Sequence, residues 1–409
     1  MNKPDIKYLF EPESVAVIGV SQEPGKIGYK VLENMLHTGY TGKIYPVNPK
    51  GGTALGYDIL KSVEEVEGEI DVAVIAIPAR FVYDAVVSCA KKNVKMLAII
   101  SSGFSEIGNL DEEQRVLNYA RAHNMRILGP NIFGHYSAKV SLNATFGPRD
   151  IRKGNVAIIT QSGALGIAMI GKTAVQNIGL SSIISVGNKT DINEADLLEY
   201  LIDQEETKII LMYVEGIQEG ERLVKILKQA TKVKPVIVIK SGRSKRGAVA
   251  AASHTGSLAG SDKVFDAIMR QCGVLRAESI QEALEWSKFL SHTAVPTGPN
   301  GIIITNGGGV GVMATDACEK YDIKLYDDQE KLKETFESVA HGFGSTKNPV
   351  DITGEASKAD YVKALKEALV DDSIHCVMAL YCETAMMNSQ ELSEMIDEMY
   401  GQYHAAGKP

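Results

Sequence analysis

The chain has 409 residues, with 43 Lys+Arg against 51 Asp+Glu for a net charge of -8, 44% hydrophobic residues and 38 glycines. Ordinary domains run to roughly 100 to 200 residues, so two or three are expected, and a disordered or fibrous chain is excluded. No clustered Lys/Arg block offers itself to nucleic-acid phosphates, and no run approaches the roughly 18 to 20 apolar residues of a membrane span.

The opening, MNKPDIKYLFEPES, lacks the charged-then-apolar run of a signal peptide, so the expected compartment is the cytoplasm. Val/Ile-rich runs then alternate with amphipathic stretches: SVAVIGV (14–20), DVAVIAIP (71–78), KMLAIISSG (95–103), NVAIITQSG (155–163) and KIILMYVEG (208–216). This alternation predicts an α/β chain of doubly wound domains, with parallel strands buried on both faces by crossover helices. Breaks at the polar segment 143–154 and at SHTAVPTGPNG (291–301), which stops the helix carrying Trp286, predict three domains: 1–145, 146–295 and 296–409. The third opens with GIIITNGGG and has a further strand near HCVMALYCE (375–383). Its last helix exits into HAAGKP where another strand would follow, so this domain is expected to be incomplete at its C-terminus. The cysteines Cys89, Cys272, Cys318, Cys376 and Cys382 form no CxxC pair, so reduced thiols and no metal site are expected.

The first strand-to-helix turn carries Gly19, Gly25 and Gly28, a spacing that departs from GxGxxG but still lets backbone approach a phosphate at a helix N-terminus. The second strand ends in Asn48 and Lys50 rather than the acidic residue an NAD ribose requires. A lysine there suits a phosphorylated ribose, which occurs in both NADP and coenzyme A. In the second domain Gly166, Gly171, Lys172 and Thr173 match GxxxxGK[ST], but the residues between are the apolar face of a continuing helix, which argues against a P-loop. The better anion site is one turn earlier, at Gln161, Ser162, Gly163 and Ala164. Thr160 precedes Gln161 where a GxSxG nucleophile would need glycine, so Ser162 is not expected to act as a hydrolase serine.

His254 stands out among eight histidines because SGRSKRGAVAAASHTGSLAGSDKVF (241–265) has almost no large apolar residue before Leu258 to anchor it. Small neighbours let an imidazole approach an anion, with Arg243, Lys245 and Arg246 adding positive field. An imidazole attacks phosphorus at neutral pH when a carboxylate holds its other nitrogen, and Glu215, at the strand edge of KIILMYVEG, is the candidate carboxylate.

Together GPNIFG (129–134), TQSGALG (160–166), SVGNKTDINEADLLEYL (185–201), YVEGI (213–217) and SHTGSLAGSD (253–262) resemble one family across the whole chain. It is the α subunits of the ADP-forming acetate–CoA ligases, within the nucleoside-diphosphate-forming acyl-CoA synthetase superfamily and related to succinyl-CoA synthetase. The resemblance implies a Rossmann-like CoA-binding domain followed by two flavodoxin-like domains, and a separate β subunit with an ATP-grasp site for ADP/ATP and Mg in an α2β2 heterotetramer. It makes His254 the phosphorylated histidine and Glu215 its orienting group, with phosphate held by Ser162, Gly163, Ala164, Gly187 and Asn188. From the third domain it adds Glu383 and Thr384, in a turn presenting a second helix N-terminus, with NGGGVGVMATDAC (306–318) and NPVDITGEA (348–356) as supporting motifs. CoA is expected along Gly19, Val20, Ser21, Gln22, Lys26, Lys50, Ile77, Pro78, Ser102 and Gly103, and the acyl group near Asn131, Ile132 and Ile167. Succinyl-CoA synthetases carry a tyrosine where this chain has Ile167, which favours a small or apolar monocarboxylate.

The implied chemistry passes from acyl-CoA and phosphate through an acyl phosphate and a phosphohistidine to ADP. Two other readings compete. An NADP-dependent oxidoreductase would use the first domain but leave the His254 loop without a task. A non-catalytic CoA-binding regulator would not need His254, Glu215 and the Ser162–Gly163 turn together.

Overall fold

The Val/Ile runs form strands because branched side chains on both faces suit a sheet covered on both sides. In the computed structural model, which describes residues 6–247, 249, 261–340 and 342–409, these strands build three main sheets. The first holds β1 (Ser14–Ile18) and β2 (Lys43–Val47). After a small hairpin, β3 (Thr53–Ala54) and β4 (Tyr57–Asp58), it continues with β5 (Val72–Ile75), β6 (Met96–Ile99) and β7 (Arg126–Leu128). The order is β2-β1-β5-β6-β7, all parallel.

The second sheet comprises β8 (Gly134–Ser137), β9 (Leu142–Thr145), β10 (Lys153–Thr160), β11 (Leu180–Ser185), β12 (Ile209–Val214), β13 (Val236–Lys240) and β14 (Leu275–Ala277). Its order is β14-β13-β12-β10-β11-β8-β9, parallel except for the last two strands. A third sheet, β15 (Gly301–Thr305), β16 (Val350–Asp351) and β17 (Cys376–Leu380), has the order β16-β15-β17. In every sheet the chain leaves its first parallel strand to one side and then crosses to the other. Crevices therefore open beyond the C-terminal ends of β1/β5, β10/β12 and β15/β17.

The chain forms two compact units, Met1–Ser291 and His292–Pro409. The first contains both expected N-terminal domains, and the hairpin β8–β9, expected in the first of them, extends the second sheet instead. The reason is that this hairpin serves both: β8 pairs with β11, while helix Ile27–Thr38 covers β9, its Asn34 amide donating to Thr145 O at 2.8 Å and Gly147 O at 3.0 Å. One apolar core, including Val15, Val72, Leu142, Ala157 and Ile210, runs through both sheets. The second unit closes over its own core of Ile302, Ile304, Phe336 and Tyr361. Among the described residues no helix is long and apolar enough to cross a membrane.

Inside the first unit the segment after β11 lies against the segment after β7. Ile192 N–H donates to Ile127 O at 3.1 Å, Thr190 N–H to Gly129 O at 3.1 Å and Asn188 N–H to Pro130 O at 3.0 Å. Asp191, its side chain only 1% exposed, accepts from Arg126 Nε at 2.8 Å, Arg121 Nη2 at 2.9 Å and Ile127 N–H at 3.0 Å. Burial pushes this carboxyl up, but the Arg126 guanidinium and the hydrogen bonds outweigh it and hold the pKa below the ordinary aspartate value.

A carboxyl held low stabilises the fold above its unfolded pKa of about 3.9 and loses that contribution as pH falls through the lower folded value. Asp191→Asn removes the nearer of the two carboxylates paired with the buried Arg126, leaving Asp196 at 3.3 Å, and is expected to cost roughly 1 to 3 kcal/mol at pH 7. Urea titrations at pH 7 and below pH 4 check this, since the difference between the two chains should shrink on acidification.

Candidate active site

β10 ends at Thr160, and the next three residues shape the crevice beside β12. The Thr160 hydroxyl donates to Ser162 O at 2.9 Å and accepts from Ser162 N–H at 3.1 Å, turning the chain into helix Gly163–Val175. Ser162 caps that helix, its hydroxyl accepting from Leu165 N–H at 3.3 Å. The N–H groups of Gly163 and Ala164 have no acceptor within the helix and stand at its positive dipole end, where phosphate or carboxylate oxygens are received. Gly171, Lys172 and Thr173 lie inside the same helix, with the buried Thr173 hydroxyl donating to Ile170 O at 2.9 Å. The GxxxxGK[ST] spacing therefore builds no phosphate loop here.

Glu215 follows β12 and is 6% exposed. Tyr213 donates its hydroxyl to Glu215 Oε1 at 3.2 Å, and burial, reinforced by the neighbouring carboxylate, raises the phenol pKa so that it stays a donor. The Glu215 and Gly216 N–H groups donate to the Gln161 side-chain carbonyl at 2.7 and 3.0 Å. The Gln161 amide in turn donates to Gly216 O at 2.8 Å and to Glu194. Lys240, its pKa lowered by burial, donates to Glu215 O at 2.8 Å. His254 lies outside the described residues. Of the basic residues preceding it in the chain, Arg243 pairs with Glu278 at 3.2 Å, and Lys245 and Arg246 are exposed.

The crevice of the first sheet is made by close backbone packing. Gly19, with φ +102°, admits no side chain: a Cβ would lie 2.3 Å from Ala76 O and 2.7 Å from Ile77 Cγ2. Gly28, in the first turn of helix Ile27–Thr38, would place a Cβ 2.2 Å from Gly19 O. Around this joint Val20 O accepts from the Asn48 amide at 2.8 Å, and Lys50 N–H donates to Asn48 Oδ1 at 3.0 Å. Ser21 accepts from Glu23 N–H at 3.0 Å, Gln22 lies over Gly52, and Lys26 pairs with Glu23 at 3.6 Å. Ser101 donates to Ile77 O at 2.5 Å, and Gly103 abuts Ala79, the residue after Pro78, which leaves Ser102 exposed. The structure thus gathers the two halves of the expected CoA set, from the β1 turn and from the ends of β5 and β6, along one sheet edge.

The two crevices meet. Asn131 (φ +64°) donates its N–H to Ser101 O at 3.0 Å and its amide to Asn188 Oδ1 at 3.3 Å. A Cβ on Gly187 would lie 2.1 Å from Pro130 O, so only glycine lets these loops touch. The Asn188 amide donates to Glu106 Oε2 at 2.7 Å and Glu113 Oε2 at 2.9 Å. Burial pushes the Glu106 carboxyl up, but bonds from Gly103 N–H and Asn188 prevail and hold its pKa below the ordinary glutamate value. Glu106 and Glu113 were not expected from the sequence. Ile132 and Ile167 are not brought together: Ile132 is buried in the core shared with the first sheet, and Ile167 packs on the opposite face of the second.

The second unit repeats the turn. Thr305 donates to Gly307 O at 3.2 Å and accepts from Gly307 N–H at 3.1 Å, and helix Gly308–Lys320 follows with Gly307 as N-cap. Asn306 accepts from Cys382 N–H at 2.7 Å and donates to Cys382 O at 2.9 Å. Glu383 and Thr384 lie in a turn closed by a Thr384–Met387 bridge rather than at a helix N-terminus, because the next helix starts only at Ser389 under an Asn388 cap. The helix N-terminus at this crevice is that of Gly308, and the likeness of TNGG (305–308) to TQSG (160–163) was its signal in the sequence. Among the described residues no group of three or more His, Cys, Asp or Glu is placed to hold a metal ion.

Residues 13–135 match the family described as CoA binding domain, 153–290 the succinyl-CoA ligase like flavodoxin domain and 301–409 the ligase-CoA domain. The acetate–CoA ligase [ADP-forming] I subunit alpha of Pyrococcus furiosus is 51% identical over 403 residues, 97% of this chain and 87% of that protein. The II subunit alpha from the same organism is 42% identical over 377 residues, 92% of this chain and 82% of that one. Among solved structures, the dinucleotide forming acetyl-coenzyme A synthetase 1 of Ca. Korarchaeum cryptofilum in complex with phosphate and ADP gives a TM-score of 0.94. It is 41% identical, covering 99% of this chain and 87% of that one.

Two glycine substitutions should separate packing from helix propensity. A Cβ on Gly171 meets nothing within 4 Å, so Gly171→Ala should stabilise the chain by about 0.5 to 1 kcal/mol. Gly28→Ala, whose Cβ meets backbone, should destabilise it by about 1 to 3 kcal/mol. Chemical denaturation of both variants reads the opposite signs.

Proposed function

The chain belongs to the ADP-forming acetate–CoA ligase family, and from that membership we propose that it is the α subunit of an enzyme interconverting acyl-CoA, ADP and phosphate with a carboxylic acid, CoA and ATP. The observation that carries the reading to individual residues is the meeting of the β1/β5 and β10/β12 crevices through Asn131 and Asn188. A thioester bound in the first crevice then lies beside an anion held in the second.

CoA is bound along Gly19, Val20, Ser21 and Gln22 and the ends of β5 and β6, where close-packed glycine backbone leaves room for a phosphate chain and Lys26 and Lys50 supply exposed positive charge. A phosphate oxygen attacks the thioester carbonyl, the sulfur leaves as the CoA thiolate, and an acyl phosphate forms. The N–H groups of Gly163 and Ala164, at the N-terminus capped by Ser162, hold the phosphoryl oxygens as their charge develops. An imidazole nitrogen of His254 then attacks phosphorus, the carboxylate leaves, and Glu215 holds the opposite ring nitrogen. The phosphoryl group passes to ADP with Mg on a β subunit carrying an ATP-grasp domain, in an α2β2 assembly in the cytoplasm. A small monocarboxylate such as acetate is the acyl group, in keeping with the acetate–CoA ligase subunits that the chain resembles.

Intact-mass measurement after incubation with phosphate and a panel of acyl-CoAs, alone and with the β subunit, tests this. One acid-labile phosphoryl group should appear only with acyl-CoA and be absent from His254→Ala, and Glu215→Gln should slow its uptake by roughly 10²-fold or more. Uptake by His254→Ala, or none by the native chain with its partner, overturns the assignment.

A further inference from the structure

Three buried side chains form one connected set beside the backbone of Glu215 and Gly216. Gln161 is 7% exposed, Lys189 8% and Glu194 3%. The Gln161 carbonyl takes both N–H groups of Glu215 and Gly216, at 2.7 and 3.0 Å, and its amide reaches Gly216 O at 2.8 Å. Lys189 donates to the same Gly216 O at 2.7 Å and pairs with Glu194 at 3.1 Å, and Glu194 also accepts from Gln161. The N–H groups of Glu215 and Gly216 and the carbonyl of Gly216 are thereby fixed, by Gln161 and Lys189 directly and by Glu194 through those two.

A buried Lys–Glu pair is a poor means of stabilising a fold, because apolar side chains of the same volume do as well without forfeiting hydration. What this polar set supplies is direction. We propose that Gln161, Lys189 and Glu194 are positioning residues that fix the backbone from which the Glu215 carboxylate projects, an inference that rests on the reading of Glu215 as the group that orients His254. Lys189 reaches Gly216 O from a left-handed backbone (φ +58°), immediately after Asn188, whose amide holds Glu106 and Glu113. Neighbouring residues of one turn thus grip the CoA side and the phosphate side of the site. A shift of the carboxylate by about 1 Å is enough to cost roughly 10²-fold in rate.

The test is single-turnover phosphorylation of the full chain, reconstituted with the β subunit and supplied with phosphate and acetyl-CoA. Lys189→Met and Gln161→Leu should each slow phosphoryl uptake by roughly 10²-fold and leave the acetyl-CoA KM unchanged. Combined with Glu215→Gln, neither should slow it further, because one residue acts through the other. Wild-type rates in both single variants, or losses that multiply in the double variants, overturn the proposal. If Lys189→Met does not fold, Gln161→Leu decides by the same two criteria. Phosphorylation of His254→Ala, or a wild-type rate in Glu215→Gln, would instead sink the reading of the site on which the proposal rests.

Discussion

The three backbone hydrogen bonds that lay residues 188–192 along 127–130 are the contact on which the rest of the first unit depends. Two parallel sheets each open a crevice at their own switch point, and nothing in the rule that places those crevices makes them neighbours. Here they are neighbours because the loop leaving β11 and the loop leaving β7 meet as bare backbone. Gly187 is the required residue at that crossing, since any Cβ would strike Pro130 O and its φ of +53° already disfavours a side chain. Asp191 fastens the same joint with charge, its carboxylate and the Arg126 guanidinium both buried.

The buried charges at the base of the second crevice are matched in sign. Lys189 and Lys240 are buried beside Glu194 and Glu215, and all four are held by hydrogen bonds or ion pairs rather than left to draw ions from solution. In the proposed site the attraction for an anion therefore comes mainly from the N-terminus of helix Gly163–Val175, a partial charge that falls off within about one turn. This is suited to a group that must be received, passed on and released. A free lysine at the same place would bind an oxyanion more firmly and hold it longer. Preorganised dipoles also need no rearrangement when charge moves from one oxygen to another during the reaction.

Much of this arrangement was legible in the sequence. Strands buried on both faces read as continuous Val/Ile runs, and the residues just past them, such as Gly19, Ser162 and Glu215, fall at sheet edges for any parallel α/β topology. What escaped was whatever depends on contacts between distant segments. Glu106 and Glu113 stand 82 and 75 positions from Asn188, and LDEEQR (110–115) reads as an ordinary acidic first turn of a solvated helix. Lys189 and Glu194, in a polar loop followed by a helix, read the same way, because burial of a charged pair leaves no local pattern. The hairpin β8–β9 had no signal of its own, because two short strands beside a domain boundary fit either sheet and the choice is made by pairing with β11.

One construction recurs in all three main sheets and ties down the backbone at the base of their crevices. An amide side chain just after one strand ties down the chain leaving the adjacent strand: Asn48 after β2 holds Val20 O, Gln161 after β10 holds Glu215 and Gly216, and Asn306 after β15 holds Cys382. The peptides leaving a parallel sheet at its switch point lose their ladder partners just where a ligand must be met, and a buried unpaired peptide group costs roughly 1 to 3 kcal/mol. A side-chain amide has the donor and the acceptor of a peptide bond, so it continues the ladder for one more step without adding a strand that would fill the crevice. Thr160 and Thr305 complete the device by bonding their own turns from the preceding position, which leaves the next helix N-terminus open. The second and third sheets thus end in fixed peptides on one side and helix N-terminal N–H groups without intrahelical acceptors on the other, an arrangement that fits the proposed site.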